Sequence, residues 1–246
     1  MSDIVVSKPA DLPARSMLDV MITHHNVIQG TDEWLELRRG MLTASEMHLI
    51  ITPALKIAAN DKERAHLYEL LAQRISGYVE PRFVTDAMLR GHVDEIEALR
   101  IYSTVRGPVT KCGFIINHDV RGHGIRIGYS PDALVGDDGL AECKSHRQGI
   151  HVEALLLGII DPVHALQCQT GMIVSGRSWV DLLTYCGGLP MRIARIHPIP
   201  EVQDIIIAAA VGFEERLATL RERYAGLIKS PNLIPTARII EQEMHL

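Results

Sequence analysis

The tightest constraint on the fold lies between Gly128 and Ser145, in "GYSPDALVGDDGLAECKS". "GDDG" is a turn between two short runs, and the second run, "GLAECKS", reads as a strand. If the two runs pair, the chain must build a sheet around a hairpin with charge at its ends. Alternation along the strand puts Glu142 and Lys144 on one face and turns Cys143 to the other. Pairing also brings Asp132, just past the Ser-Pro bend, close to Glu142. Asp137 and Asp138 read as plain turn residues.

Two carboxylates in one small volume repel each other. A hard divalent cation with oxygen ligands, Mg²⁺ or Mn²⁺, is the natural resolution. Lys144 would then hold or help deprotonate an attacking water, while the cation absorbs charge on a transition-state phosphate. A surface hairpin with one cross-strand Lys–carboxylate pair shows the same spacing, so the D…ExK pattern alone does not decide.

The rest of the chain adds context. "TDEWLELRRG" reads as a helix from a Thr31 cap to a Gly40 stop, and "LTASEMHLII" as a second helix capped by Thr43 or Ser45. Asp61 to Ser76 is an amphipathic helix closed by Gly77, with Leu67, Leu70, Leu71 and Ile75 inward. A further helix starts at a Thr85 cap. On it Met88, His92, Leu99 and Tyr102 form one stripe with Glu95 at its centre, and Asp94, Glu97 and Arg90 fall opposite. A carboxylate on a packing face costs several kcal/mol unless it is paired or faces a metal.

Next come the β-rich runs "TKCGFIINHD", "GIRIGYS" and "GLAECKS", then a helix stopped at Asp161-Pro162 and another with Pro162 in its first turn. "SWVDLLTYCG" and "MRIARIHPI" read as paired strands, and the chain ends in a long helix from about Pro200 to Lys229. Gln167 lies on the Pro162 helix among few charges, where a buried Gln serves equally as a core hydrogen-bonder. Arg38 and Ser45 flank a turn and could cradle a phosphate, or form an ordinary cap with an exposed Arg.

The order helix, three strands, helix, two strands gives an α/β chain of α+β type. We expect a loose arm over residues 1–20, a single domain over 21–232 and a tail over 233–246. At 246 residues with a net charge of −5, any nucleic-acid contact must come from a local basic groove rather than bulk attraction. Four widely spaced cysteines, no apolar run of membrane length and no basic-then-apolar start fit a cytoplasmic protein with reduced thiols.

Five stretches in order, "EWLELRRGMLTAS", "GHVDE", "SPDALV", "LAECKS" and "HALQCQTGM", resemble the phage lambda exonuclease family, the YqaJ-type viral recombinases among the PD-(D/E)xK nucleases. The matching residues run from about Gly30 to Tyr185. The resemblance implies a restriction-endonuclease-like core, a mixed β-sheet flanked by helices, with a helical N-terminal part. It implies that Asp132, Glu142 and the Cys143 backbone carbonyl hold Mg²⁺ or Mn²⁺, two ions per site, and that Lys144 positions the water. It places Glu95 near the metal and gives Gln167 the orienting role. Arg38, Ser45 and Ser130 would hold a 5′-phosphate.

The implied activity is 5′→3′ degradation of one strand of linear double-stranded DNA from 5′-phosphorylated ends, in recombination by single-strand annealing. A trimeric ring and a single-strand annealing protein as partner come with it. An endonuclease of the same fold and a catalytically idle DNA-end-binding protein are the alternatives. The first would need a basic recognition extension, and none is visible; the second sits poorly with an intact Asp132, Glu142 and Lys144. An iron–sulfur branch would need clustered cysteines, which Cys168 and Cys186 do not supply.

Overall fold

The computed structural model describes residues 20–81 and 85–238. The expected arm, except its last residue, and the end of the expected tail lie outside the described residues. Local chemistry sets most helix ends. In α1 (Asp32–Arg38) the Thr31 hydroxyl accepts from the Trp34 N–H. In α3 (Asp61–Ser76) the Asn60 side chain accepts from Lys62 and Glu63 N–H, and Gly77 closes the helix at φ 66°. Thr85 caps α4 (Asp86–Arg106). Asp161 caps α6 (Pro162–Ser175), whose first residue is the proline.

The strands form two mixed sheets flanked by helices. One sheet has the order β1-β4-β5-β2, built from Met21–His24, Phe114–Asn117, Ile127–Tyr129 and Leu42–Thr43. The other has the order β3-β6-β7-β8-β9, built from Val109–Thr110, Ala133–Val135, Gly139–Ser145, Trp179–Tyr185 and Arg192–Ile196. β6 and β7 pair antiparallel with Ala133 opposite Ala141, as the turn requires. β7 and β8 run parallel, so a crossover is needed. α5 (Gln148–Leu157) and α6 supply it.

From Leu166 to Ser175, every residue of α6 is buried, which makes this helix the spine of the main core. It packs with Ile127 and Tyr129 of the first sheet, Leu140, Val180 and Leu182 of the second, and Ile206 and Phe213 of α7 (Pro200–Leu227). A second cluster sits where Ala98, Leu99 and Tyr102 of α4 meet Ala133, Ala141 and Leu183. Asp181 on β8 locks that contact. Its carboxylate accepts from the Tyr102 hydroxyl at 2.6 Å and from two Arg195 nitrogens at 2.8 and 2.9 Å.

Several expectations need correction. "LTASEMHLII" is not one helix but β2, a 3₁₀ turn at Ala44–Glu46 and the short α2 (Met47–Ile50). Neither Thr43 nor Ser45 caps it, because the Thr43 hydroxyl donates instead to the Glu46 carboxylate at 2.6 Å. Ile75 is 36% exposed. Met88 and His92 are also exposed, so the first half of α4 stands clear of the sheet and only its second half packs. α5 ends at Gly158, which adopts the left-handed conformation three residues before Asp161. β1 was not foreseen. No single helix among the described residues is long and apolar enough to cross a membrane.

Candidate active site

The last residues of β7 emerge from the core, since its burial falls off after Glu142. Glu142 remains buried and every oxygen is used. Its Oε2 accepts from the Tyr129 hydroxyl at 2.8 Å. Its Oε1 accepts from Lys144 Nζ at 2.9 Å and from the Gln167 amide. The Gln167 carbonyl oxygen accepts in turn from Lys144 Nζ at 2.8 Å. Strand alternation and the buried face of α6 thus close a triangle of carboxylate, ammonium and amide. Two Lys144 N–H groups are committed to it, leaving the third for a water or an anion.

Asp132 completes the cluster from the foot of β6. The Cys143 N–H donates to Asp132 Oδ2 at 2.6 Å, which fixes the carboxylate against the edge of β7. Burial pushes the Asp132 carboxyl well above the ordinary range, and the charges of Glu142 and Glu95 push it further. Lys144 and the Cys143 N–H work the other way and are outweighed. Burial alone would lower Lys144, but Glu142 and Asp132 override it and hold the ammonium charged above its usual range. Tyr129 is raised by burial and then by Glu142, so it stays a neutral donor.

The structure brings Glu95 into the field of Asp132 and Cys143, with its carboxylate 2.7 Å from Lys111 Nζ. Asp94, expected on the opposite face, accepts a short hydrogen bond from the Ser145 hydroxyl at the end of β7. At ~100° per residue neighbouring helix positions differ by about a quarter turn, so both can face one strand end.

Arg38, Ser45 and Ser130 gather at a second corner. Arg38 lies over the Trp34 ring, 4.3 Å from its centroid, and donates to the Thr43 hydroxyl at 3.2 Å. The Thr43 and Ser45 hydroxyls are 3.3 Å apart. Trp34 Nε1 donates to the Ser130 hydroxyl at 2.8 Å. A single residue separates Ser130 from Asp132, so this corner and the carboxylates are joined through Pro131.

Sequence reasoning missed Tyr129, Lys111, Trp34 and Thr43, as well as two histidines. His164 sits one helical turn before Gln167 and stacks on His146 at 5.9 Å. Burial, then the Lys144 charge, drives the His164 imidazole down to about 4. Of these, Tyr129 left a trace, since it is the next-to-last residue of "GIRIGYS", three residues before Asp132.

The residues fit a hard cation. Ionising Asp132 would place negative charge that its neighbours do not neutralise, a deficit a bound cation would fill, and the donors within reach are oxygens. The Cys143 thiol is pushed up by burial and by Asp132, and stays protonated, so only its backbone carbonyl is a plausible donor. Among the described residues no group of three or more His, Cys, Asp or Glu side chains converges as a closed cage. Mg²⁺ is ordinarily held by one or two carboxylates and keeps several waters.

Gly171 of α6 faces the Tyr129 ring, and a Cβ there would lie 2.7 Å from it. Gly171→Ala is expected to cost about 1–3 kcal/mol by overpacking and to displace the hydroxyl that holds Glu142. Urea unfolding checks the stability; a variant as stable as the parent would show that Tyr129 has room to move.

A family model described as the YqaJ-like viral recombinase domain matches residues 33–178, more than half of the chain. Among solved structures, the alkaline exonuclease LHK-Exo from Laribacter hongkongensis is 30% identical with a TM-score of 0.66, covering 80% of this chain and 100% of that one. The same enzyme in complex with dAMP gives 32% identity at the same coverage and TM-score. A phage-related exonuclease from Haemophilus somnus 129PT, 14% identical over 76% of this chain and 96% of that one, shares the fold at a TM-score of 0.54. No curated protein sequence matches.

Proposed function

The chain belongs to the YqaJ-like viral recombinase domain family, and from that premise we propose that it is a metal-dependent exonuclease acting on linear double-stranded DNA. It removes one strand 5′→3′ from 5′-phosphorylated ends. The observation that carries this reading is the Lys144–Glu142–Gln167 triangle with Asp132 across the hairpin. Asp132, Glu142 and the Cys143 carbonyl would hold one or two Mg²⁺ or Mn²⁺ ions. Bound there, the cation supplies charge neutralisation at the scissile phosphate and lowers the pKa of water.

The chain's own residues do the rest. Lys144, kept charged by its carboxylates, donates its remaining N–H to the water or to a phosphate oxygen. Gln167 holds the ammonium in place while sharing the Glu142 oxygen with it. Glu95, tethered by Lys111, adds negative charge at the metal side. Arg38, with the Ser45 and Ser130 hydroxyls, offers charge-assisted and neutral donors to a terminal 5′-phosphate. A single-strand annealing protein and a ring of three copies belong to the same reading.

The test is a digest of linear duplex with and without a 5′-phosphate, in Mg²⁺ and then in EDTA. Metal-dependent loss of the 5′-phosphorylated strand is expected, with closed circles left intact. Arg38→Ala should reduce the preference for the phosphorylated end by about 10- to 100-fold, the worth of one charged hydrogen bond at roughly 1.5–3 kcal/mol. Cutting of circles would point to an endonuclease, and an unchanged preference in Arg38→Ala would remove that residue from the end pocket.

A further inference from the structure

Arg38 and Arg39 part company at the end of α1. Arg38 joins the end-binding corner, whereas Arg39 enters a separate concavity of about 400 Å³ between α3, α7 and the loop before β5, on the scale of a small-molecule site. Four guanidinium groups line it, those of Arg39, Arg74, Arg126 and Arg221, together with the single carboxylate of Glu214.

Arg74 uses that carboxylate up. Its two terminal nitrogens donate to both Glu214 oxygens at 2.7 and 2.6 Å, and its Nε donates to the Gly40 carbonyl at 2.6 Å. Among the described residues, Arg126 and Arg221 have no hydrogen bond or ion pair. Arg39 is paired at one terminal nitrogen with the largely exposed Glu36, while its Nε is buried with no hydrogen-bond partner. A buried donor left unmade costs about 1–3 kcal/mol, and the exposed Arg126 and Arg221 add positive charge that the single carboxylate does not balance. Lost hydration, then the Arg74 charge, lowers the Arg126 guanidinium below its usual range.

We propose that this Arg39–Arg126–Arg221 concavity is a second phosphate-binding site, distinct from the carboxylate cluster and from the Arg38 corner. Planar guanidinium forks match phosphate oxygens two at a time, and Arg126 and Arg221, both exposed, supply donors that nothing in the fold uses. The shared ligand chemistry is a phosphate group, either a phosphodiester of a bound duplex or a free polyphosphate anion.

The experiment uses the full chain carrying Asp132→Asn, so that nothing is cut, with and without the further pair Arg126→Gln and Arg221→Gln. Pyrophosphate binding is read by calorimetry in EDTA, and binding of a 5′-hydroxyl duplex is read across a salt series. The site predicts at least a tenfold loss in one of them on removing the two arginines. A tenfold weaker duplex complex, with a salt slope shallower by about 1–2, assigns the site to a DNA phosphodiester. Loss of pyrophosphate binding with an unchanged duplex complex assigns it to a free anion. If both affinities stay within twofold, the proposal is overturned. Without ligand, the double variant should melt at or above its parent, because like charges have been removed. Melting several degrees lower would make the arginines structural and also overturn the proposal. Neither arm needs catalysis, so failure here and failure of the nuclease reading are separable.

Discussion

Asp132→Asn is expected to abolish metal-dependent strand degradation and, in EDTA, to raise the melting temperature of the chain at neutral and alkaline pH. The two effects share one cause. Burial, then Glu142 and Glu95, hold the Asp132 carboxyl above its ordinary range. A carboxyl raised in the folded state contributes stability that is fully present below its unfolded value near ~3.9 and is lost as pH rises through its folded value. The wild-type chain therefore loses stability with rising pH, whereas the Asn side chain does not titrate and still accepts from the Cys143 N–H. The gain should be full above the folded pKa and should vanish below the unfolded one. Melting curves from pH 3 to 9 check it. Adding Mg²⁺ should stabilise the wild type and leave Asp132→Asn unmoved. A variant less stable than wild type in EDTA at pH 8 would mean that Asp132 is not held among uncompensated charge.

The second large effect is structural. Asp181→Ala should cost about 2–4 kcal/mol, because it strands the fully buried Tyr102 hydroxyl and removes both Arg195 contacts. Arg195 is nearly half exposed and stacks on Trp179 at 3.6 Å, so solvent offsets part of its loss. Burial opposes ionisation of Asp181, but the Arg195 and Tyr102 hydrogen bonds override it and hold the carboxyl below the usual range. Its contribution is present above the unfolded carboxylate pKa and is lost as pH falls through the lowered folded value. The gap between wild type and Asp181→Asn should therefore persist at neutral pH and close only in strong acid. Because Tyr102 anchors the helix that carries Glu95, nuclease rates should fall as well. A melting temperature within a degree of wild type would show that the apolar packing of α4 suffices alone.

Much of this was legible in the chain. The "GDDG" turn and the alternation of "GLAECKS" gave the β6–β7 register, and with it the meeting of Asp132, Glu142 and Lys144. Thr31, Thr85, Gly77 and Pro162 marked helix ends because capping is local chemistry. What stayed hidden depends on distant partners. Met21–His24 is only four residues long and is a strand because β4 pairs with it. Periodicity put Met88 and His92 inward and Asp94 outward, but it cannot tell which turns of a helix overhang the sheet. Tyr129, Lys111 and the Trp34–Ser130 bond join residues 13, 16 and 96 positions apart, separations at which no short motif speaks.

The Trp34–Ser130 bond also bears on the size of the product. Ser130 belongs to the proposed end-binding corner and Asp132 to the carboxylate cluster, and a single proline, its φ fixed by the ring, lies between them. In the proposed reaction that peptide is a rigid gauge. It sets how far from a held terminus the chain can be severed, and a gauge one residue long favours release of units of a single fixed length. Replacing Pro131 by glycine would slacken it, and a widened distribution of fragment lengths would be the trace.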